Sequence, residues 1–205
     1  MILDWDFIFF GTLIVLILIP LYFYKDKILH LFYKKHDFKQ FLHNTTVYVH
    51  DHYPNINFDL NTIVKKTLDE PNDRTRAILV IENIVNQFVT YEYSSTHKPA
   101  ISKELLWSNY LEYCKPIKSK LPLDWSKRKD FTWQRDQQCC QRCGLKLDLN
   151  NAHIELLKPI KEGGQYNFEN LQTLCNDCAK ILKSNDLVQT SKSLQILDKL
   201  LDKVN

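Results

Sequence analysis

At 205 residues, 44% hydrophobic and 25% charged, the chain has an ordinary globular balance and room for one domain, or for two small ones with an appendage. Its 4 glycines argue against a glycine-rich phosphate loop and against a loop-dominated β fold. The net charge of +3 is uneven: outside the first 24 residues there are 27 basic against 22 acidic side chains, and 11 against 6 fall between Lys115 and Gln165. A basic excess suits an anionic partner such as nucleic acid or lipid headgroups, or it is the normal scatter of a solvated surface.

From Phe7 to Tyr24 the sequence FIFFGTLIVLILIPLYFY carries no charge over 18 residues, about the roughly 20 that a helix needs to cross a bilayer. Trp5, Tyr22, Phe23 and Tyr24 sit where an interfacial aromatic belt is expected. The start MILDWD is acidic, unlike a cleaved signal peptide, and Lys25, Lys27, Lys34 and Lys35 all follow the apolar run. The expectation is a single-pass membrane anchor with the N-terminus outside and the body in the cytoplasm. Thiols in that compartment stay reduced, which turns paired cysteines toward metal and away from disulfides.

The middle of the chain shows helical periodicity without a chemical motif. Phe38, Phe41, Leu42, Thr45 and Val49 share one helical face, and Ala77, Val80, Ile81, Ile84, Val85 and Phe88 share another. A third helix is expected from Ser102, with Leu105, Leu106, Tyr110, Leu111 and Cys114. Pro54, Pro71, Pro99 and Pro116 mark the breaks. His50 and His52 stand two apart, so on a helix their rings point to different faces and a shared metal is not expected.

Cys140-Gln-Arg-Cys143 and Cys175-Asn-Asp-Cys178 are two C-x-x-C pairs. Each can offer two thiolates from one tight turn, and together they can form a four-sulfur cage for Zn²⁺. Gly144 follows the first pair at the turn. Four sulfurs close the coordination shell, so this zinc is structural and not hydrolytic.

Between and around these knuckles the sequence resembles the HNH endonuclease family in its four-cysteine form. The likeness runs from about Leu121 to Ser184. It rests on Arg135-Asp136 before Cys140, then Lys158-Pro159, Gly163-Gly164 and Glu169-Asn170-Leu171 before Cys175. It implies a ββα fold gripping a catalytic divalent cation, Mg²⁺ or another, and DNA as partner. The resemblance places the strand metal ligand at Glu155, the general base at Leu156, the positioning Asn at Asn170 and a last His ligand at Ala179. Leucine accepts no proton and alanine binds no metal, so hydrolysis is expected to be impaired or absent. A rebuilt site is the alternative: His153, two residues before Glu155, shares its face on a strand, together with Asn170. His153 is otherwise a partly exposed strand residue that serves no site. Lys127, Arg128, Lys129, Arg135 and Arg142 are the phosphate-contact candidates.

After Ser184, Leu194, Leu197, Leu200, Leu201 and Val204 make an apolar helical stripe that packs back onto the protein or meets a protein partner. The expected architecture is mainly α with a small α+β domain. It comprises a transmembrane anchor over 1–24, a juxtamembrane and helical region over 25–120, an HNH-like zinc domain over 121–184 and an amphipathic C-terminal helix over 185–205. Beside an inactive DNA-binding protein and an active endonuclease, a zinc-stapled protein-interaction module is the third functional class.

Overall fold

The computed structural model describes residues 5–24, 37–116 and 121–204. The chain separates into two units, Met1–Asp37 and Phe38–Asn205. In the first, helix α1 covers Trp5–Phe23 with Pro20 inside it. Its 19 residues include Asp6 and rise about 28 Å at 1.5 Å each, short of the roughly 30 Å hydrocarbon core of a bilayer. Among the described residues no helix is long and apolar enough to cross a membrane. The transmembrane anchor expected over 1–24 is therefore not supported, and the membrane topology argued from it has no span to rest on. Lys25, Lys27, Lys34 and Lys35 lie outside the described residues.

The second unit opens with three helices, α2 (Phe38–His52), α3 (Leu60–Lys66) and α4 (Asp73–Thr90). Their buried faces follow the spacing read from the sequence. α2 buries Phe38, Phe41, Thr45 and Val49; α4 buries Ala77, Val80, Ile81, Ile84, Val85, Phe88 and Val89. Local chemistry sets their starts. Asp59 accepts a hydrogen bond from the Thr62 N–H, and Asn72 caps α4 through the N–H groups of Arg74 and Thr75.

The third expected helix does not form. Residues 103–105 and 112–114 are separate 3₁₀ turns. Leu105 and Leu111 are left in solvent, whereas Tyr110 and Cys114 are buried. Tyr110 lies flat on Phe168, with ring centroids 5.1 Å apart and planes 9° apart, inside a small aromatic core that also holds Trp107, Trp125 and Phe131. Tertiary stacking, and not helical periodicity, decides this stretch.

The remainder is a helix, a hairpin and a helix. α5 (Trp125–Arg135) packs on both strands of an antiparallel pair, β1 (His153–Leu156) and β2 (Leu171–Leu174). The register pairs Glu155 with Gln172 and Leu156 with Leu171. α6 (Asn176–Lys183) packs on β1. Two short helices follow, α7 (Leu187–Lys192) and α8 (Gln195–Leu201). Leu194, Ile196 and Leu200 are fully buried and α8 packs on α4, so the apolar stripe of the tail closes the main core. The buried Asp177 carboxylate fixes this return by accepting from the N–H groups of Gln195 and Ile196. Burial pushes the Asp177 pKa above the ordinary carboxylate value, against the lowering effect of those two bonds.

Candidate functional site

The first knuckle turns at Gly144, whose φ of +81° places it in the left-handed region. A Cβ there would also meet Pro54 Cγ at 2.8 Å and Asn55 Cγ at 2.9 Å, because the loop after α2 lies against the knuckle. The Asn55 N–H donates to the Cys143 carbonyl at 3.2 Å, tying the helical part to the turn. Strand β2 and the first turn of α6 supply the other knuckle.

The Sγ atoms of Cys140, Cys143, Cys175 and Cys178 lie within 4.8 Å of one another, and all four residues are buried and free of disulfides. Cys143 Sγ stands 3.7 Å from Cys175 Sγ. A tetrahedral site with Zn–S bonds of about 2.3 Å has sulfur–sulfur edges of about 3.8 Å, so the spacing fits zinc. Hydrogen bonds from Cys143, Cys175 and Cys178 hold the Cys140 thiol far below its ordinary range. The thiols of Cys143 and Cys175 are pushed far up, first by their hydrogen bonds to Cys140. Thiolate charge buried in such a cage calls for a compensating cation, which is what a dication with four sulfur ligands supplies.

The basic residues divide into two groups. Arg128 has no exposed side-chain surface and grips both carboxylate oxygens of Asp124 from Nε and Nη2, at 2.7 and 2.8 Å. Its remaining donors reach the carbonyls of Tyr110 and Tyr166. Burial, which opposes the charge, is outweighed by the hydrogen bonds and charge of Asp124 and Cys114, and the Arg128 pKa is raised. Arg142 is 2% exposed and closes the C-terminal end of α4, donating to the carbonyls of Phe88 and Tyr91 at 2.7 and 2.8 Å. It also points at Cys178 Sγ, 3.5 Å away. Arg135 donates to the carbonyls of Phe168 and Leu171, while its neighbour Asp136 accepts from the Thr173 N–H at 2.8 Å. All three arginines spend their donors on groups within the fold. Lys127 is exposed and Lys129 half-buried.

On the hairpin, His153 and Glu155 share a face, as alternation requires, and Gln172 stands directly across from Glu155. Leu156 points to the opposite face, packed with Phe168, Leu171, Tyr110 and Cys114. Ala179 on α6 is 3% exposed. Asn170 is buried and staples the intervening turn: its Oδ1 accepts from the Lys158 N–H at 2.7 Å, and its Nδ2 donates to the carbonyls of Lys158 and Gln165. That turn needs Gly164, where a Cβ would stand 2.0 Å from the Lys158 carbonyl oxygen.

Glu155 has a partner that the sequence reading missed. The Lys183 ammonium forms an ion pair with its carboxylate. Lys183 follows Ala179 by four residues on α6, and that spacing was the available signal. Gln172 was missed too. It is 2% exposed and donates to the Tyr93 hydroxyl at 3.3 Å. His153 is exposed, and among the described residues the four cysteines are the only group of three or more His, Cys, Asp or Glu side chains close enough to share a metal.

A zinc-knuckle cage, an antiparallel hairpin and a following helix together define a ββα zinc module. Residues 140–184 match the family model described as HNH endonuclease, so over that span the chain carries an HNH-type domain. The match takes in both knuckles, the hairpin and α6. No curated protein and no solved structure matches the chain.

Proposed function

We propose that the protein is a zinc-stabilised, HNH-type nucleic-acid-binding protein in which phosphodiester hydrolysis is impaired or lost. One observation carries the reading. The three side chains at the catalytic positions are all engaged in something other than catalysis: Leu156 in the aromatic core, Ala179 against the main core, and Glu155 in its pair with Lys183. Hydrolysis needs a water nucleophile, a base within hydrogen-bond reach and a cation on the scissile phosphate. Loss of the base alone costs about 10²–10⁴ in rate. DNA is the expected partner, with Lys127 and Lys129 as phosphate contacts.

The test is supercoiled plasmid incubated with the full-length, zinc-loaded protein in Mg²⁺ or Mn²⁺. The expected result is no nicked or linear product, with nicking appearing in the Leu156→His/Ala179→His variant. Cleavage by the unmodified protein that disappears in Glu155→Ala would overturn the reading. It would establish a rebuilt divalent-metal site on Glu155, Asn170 and His153. Absence of any salt-sensitive DNA binding would leave the zinc module as a scaffold for protein contacts.

A further inference from the structure

Beside Ala179 the surface opens into a cleft of about 390 Å³. His153 from β1, Lys180 and Lys183 from α6, and Gln189 and Thr190 from α7 line it. A larger residue at 179 would project toward this space; alanine leaves it clear. Three basic side chains border the cleft, and among the described residues no carboxylate lines it. The Lys180 ammonium is anchored by donation to the Ser193 carbonyl at 2.9 Å, which holds it at the rim with further N–H bonds to give. Lys183 is tethered through Glu155, yet 64% of its side chain is exposed. The Glu155 side chain is only 22% exposed, but the ammonium end of the pair stands in solvent, where a phosphate oxygen can compete with the carboxylate for its N–H groups.

We propose that this cleft is a phosphate seat that works without a divalent cation, with Lys183 and Lys180 supplying the positive charge and His153 a ring N–H donor. The proposal rests on the reading of the domain as HNH-type with its hydrolytic metal site given up. It adds what took that site's place. Glu155 is then a competitor for Lys183 and not a metal ligand, so it opposes binding. A backbone phosphate of nucleic acid and a free phosphate present the same oxygens, and the arms of the test separate them.

The full-length protein, with its zinc in place, is titrated with a labelled 20-base-pair duplex by fluorescence anisotropy. The buffer is freed of other divalent cations, and a parallel series contains Mg²⁺. Inorganic phosphate is titrated separately by calorimetry. Lys183→Met, Glu155→Gln and Gln189→Glu are compared with Lys65→Met, a surface change on α3. Affinity for duplex is expected to be the same with and without Mg²⁺. It should fall several-fold in Lys183→Met and Gln189→Glu, rise in Glu155→Gln, and stay put in Lys65→Met. The slope of log affinity against log salt should shrink by about 0.9 in Lys183→Met, the signature of one lost phosphate contact. Equal duplex affinity in all variants would overturn the seat while leaving nucleic-acid binding intact. Weakening by Glu155→Gln together with a Mg²⁺ requirement would overturn it in favour of a metal site. Lys183-dependent binding of inorganic phosphate without any duplex binding would keep the seat and overturn the nucleic-acid reading. Binding of neither ligand would overturn both.

Discussion

Replacing Arg128 by methionine separates a phosphate contact from a fold-holding charge. The guanidinium makes two hydrogen bonds to Asp124, whose side chain is only 7% exposed, and further bonds to the carbonyls of Tyr110 and Tyr166. Methionine fills much of the volume but leaves the Asp124 carboxylate without its counter-charge and the Tyr166 carbonyl without a donor; the Tyr110 carbonyl keeps only the weak Cys114 thiol donor. Removing one partner of a buried ion pair costs about 3–5 kcal/mol. For a unit of this size each kcal/mol moves Tm by roughly 2–4 °C, so the loss is on the order of 10 °C. Thermal unfolding followed by circular dichroism measures it, with salt-dependent duplex binding of the still-folded variant measured at low temperature. A Tm within about 2 °C of the parent, combined with a marked loss of duplex affinity, would refute the structural role and restore Arg128 as a phosphate ligand.

Two further expectations concern the metal and the alkaline limit. Stripping zinc with a chelator, or protonating the thiolates by lowering the pH, should melt the knuckles; the Arg142 link to α4 should then loosen the helical part in the same transition. Circular dichroism during a zinc titration would show this, and a helical signal indifferent to zinc would contradict the coupling. At high pH the sign reverses. Burial raises the pKa of Tyr53 and of Tyr110, the latter against the lowering effect of its bond from the Phe168 N–H. The unfolded chain therefore loses these phenolic protons first. The stability they contribute is full below about pH 10 and falls as pH rises beyond it. Urea midpoints between pH 8 and 11.5 test this, and a flat profile would contradict it.

What could be read from the sequence is what depends on spacing alone. The two C-x-x-C pairs converge because each is a self-contained turn, and the buried faces of α2 and α4 follow from residues three and four apart. The 102–114 stretch has the same kind of spacing, yet Tyr110 is worth more stacked on Phe168 than lined up on a helix. The direction of a charge was equally hidden. Arg128 and Lys127 are neighbours in sequence, but one is sealed by Asp124 and two carbonyls while the other stands in water. The Glu155–Lys183 pair joins a strand to a helix, and the only local hint of it was the four-residue spacing of Lys183 from Ala179.

The motif residues Arg135, Asp136 and Asn170 serve the scaffold through their contacts. Arg135, Asp136 and Asn170 all bond to main-chain groups of the hairpin and its turn. Losing any of them would orphan buried carbonyl or N–H groups, at about 1–3 kcal/mol each. The fold therefore needs them, whatever becomes of hydrolysis. The base and last-ligand positions carry no such burden. Leu156 and Ala179 are apolar side chains set against apolar neighbours, so each removes a polar group from a site that needs no polar group to fold. The Leu156→His/Ala179→His variant should cost stability in proportion to the buried polar atoms it introduces, while the chemistry it restores depends on how readily Lys183 yields Glu155 to a metal.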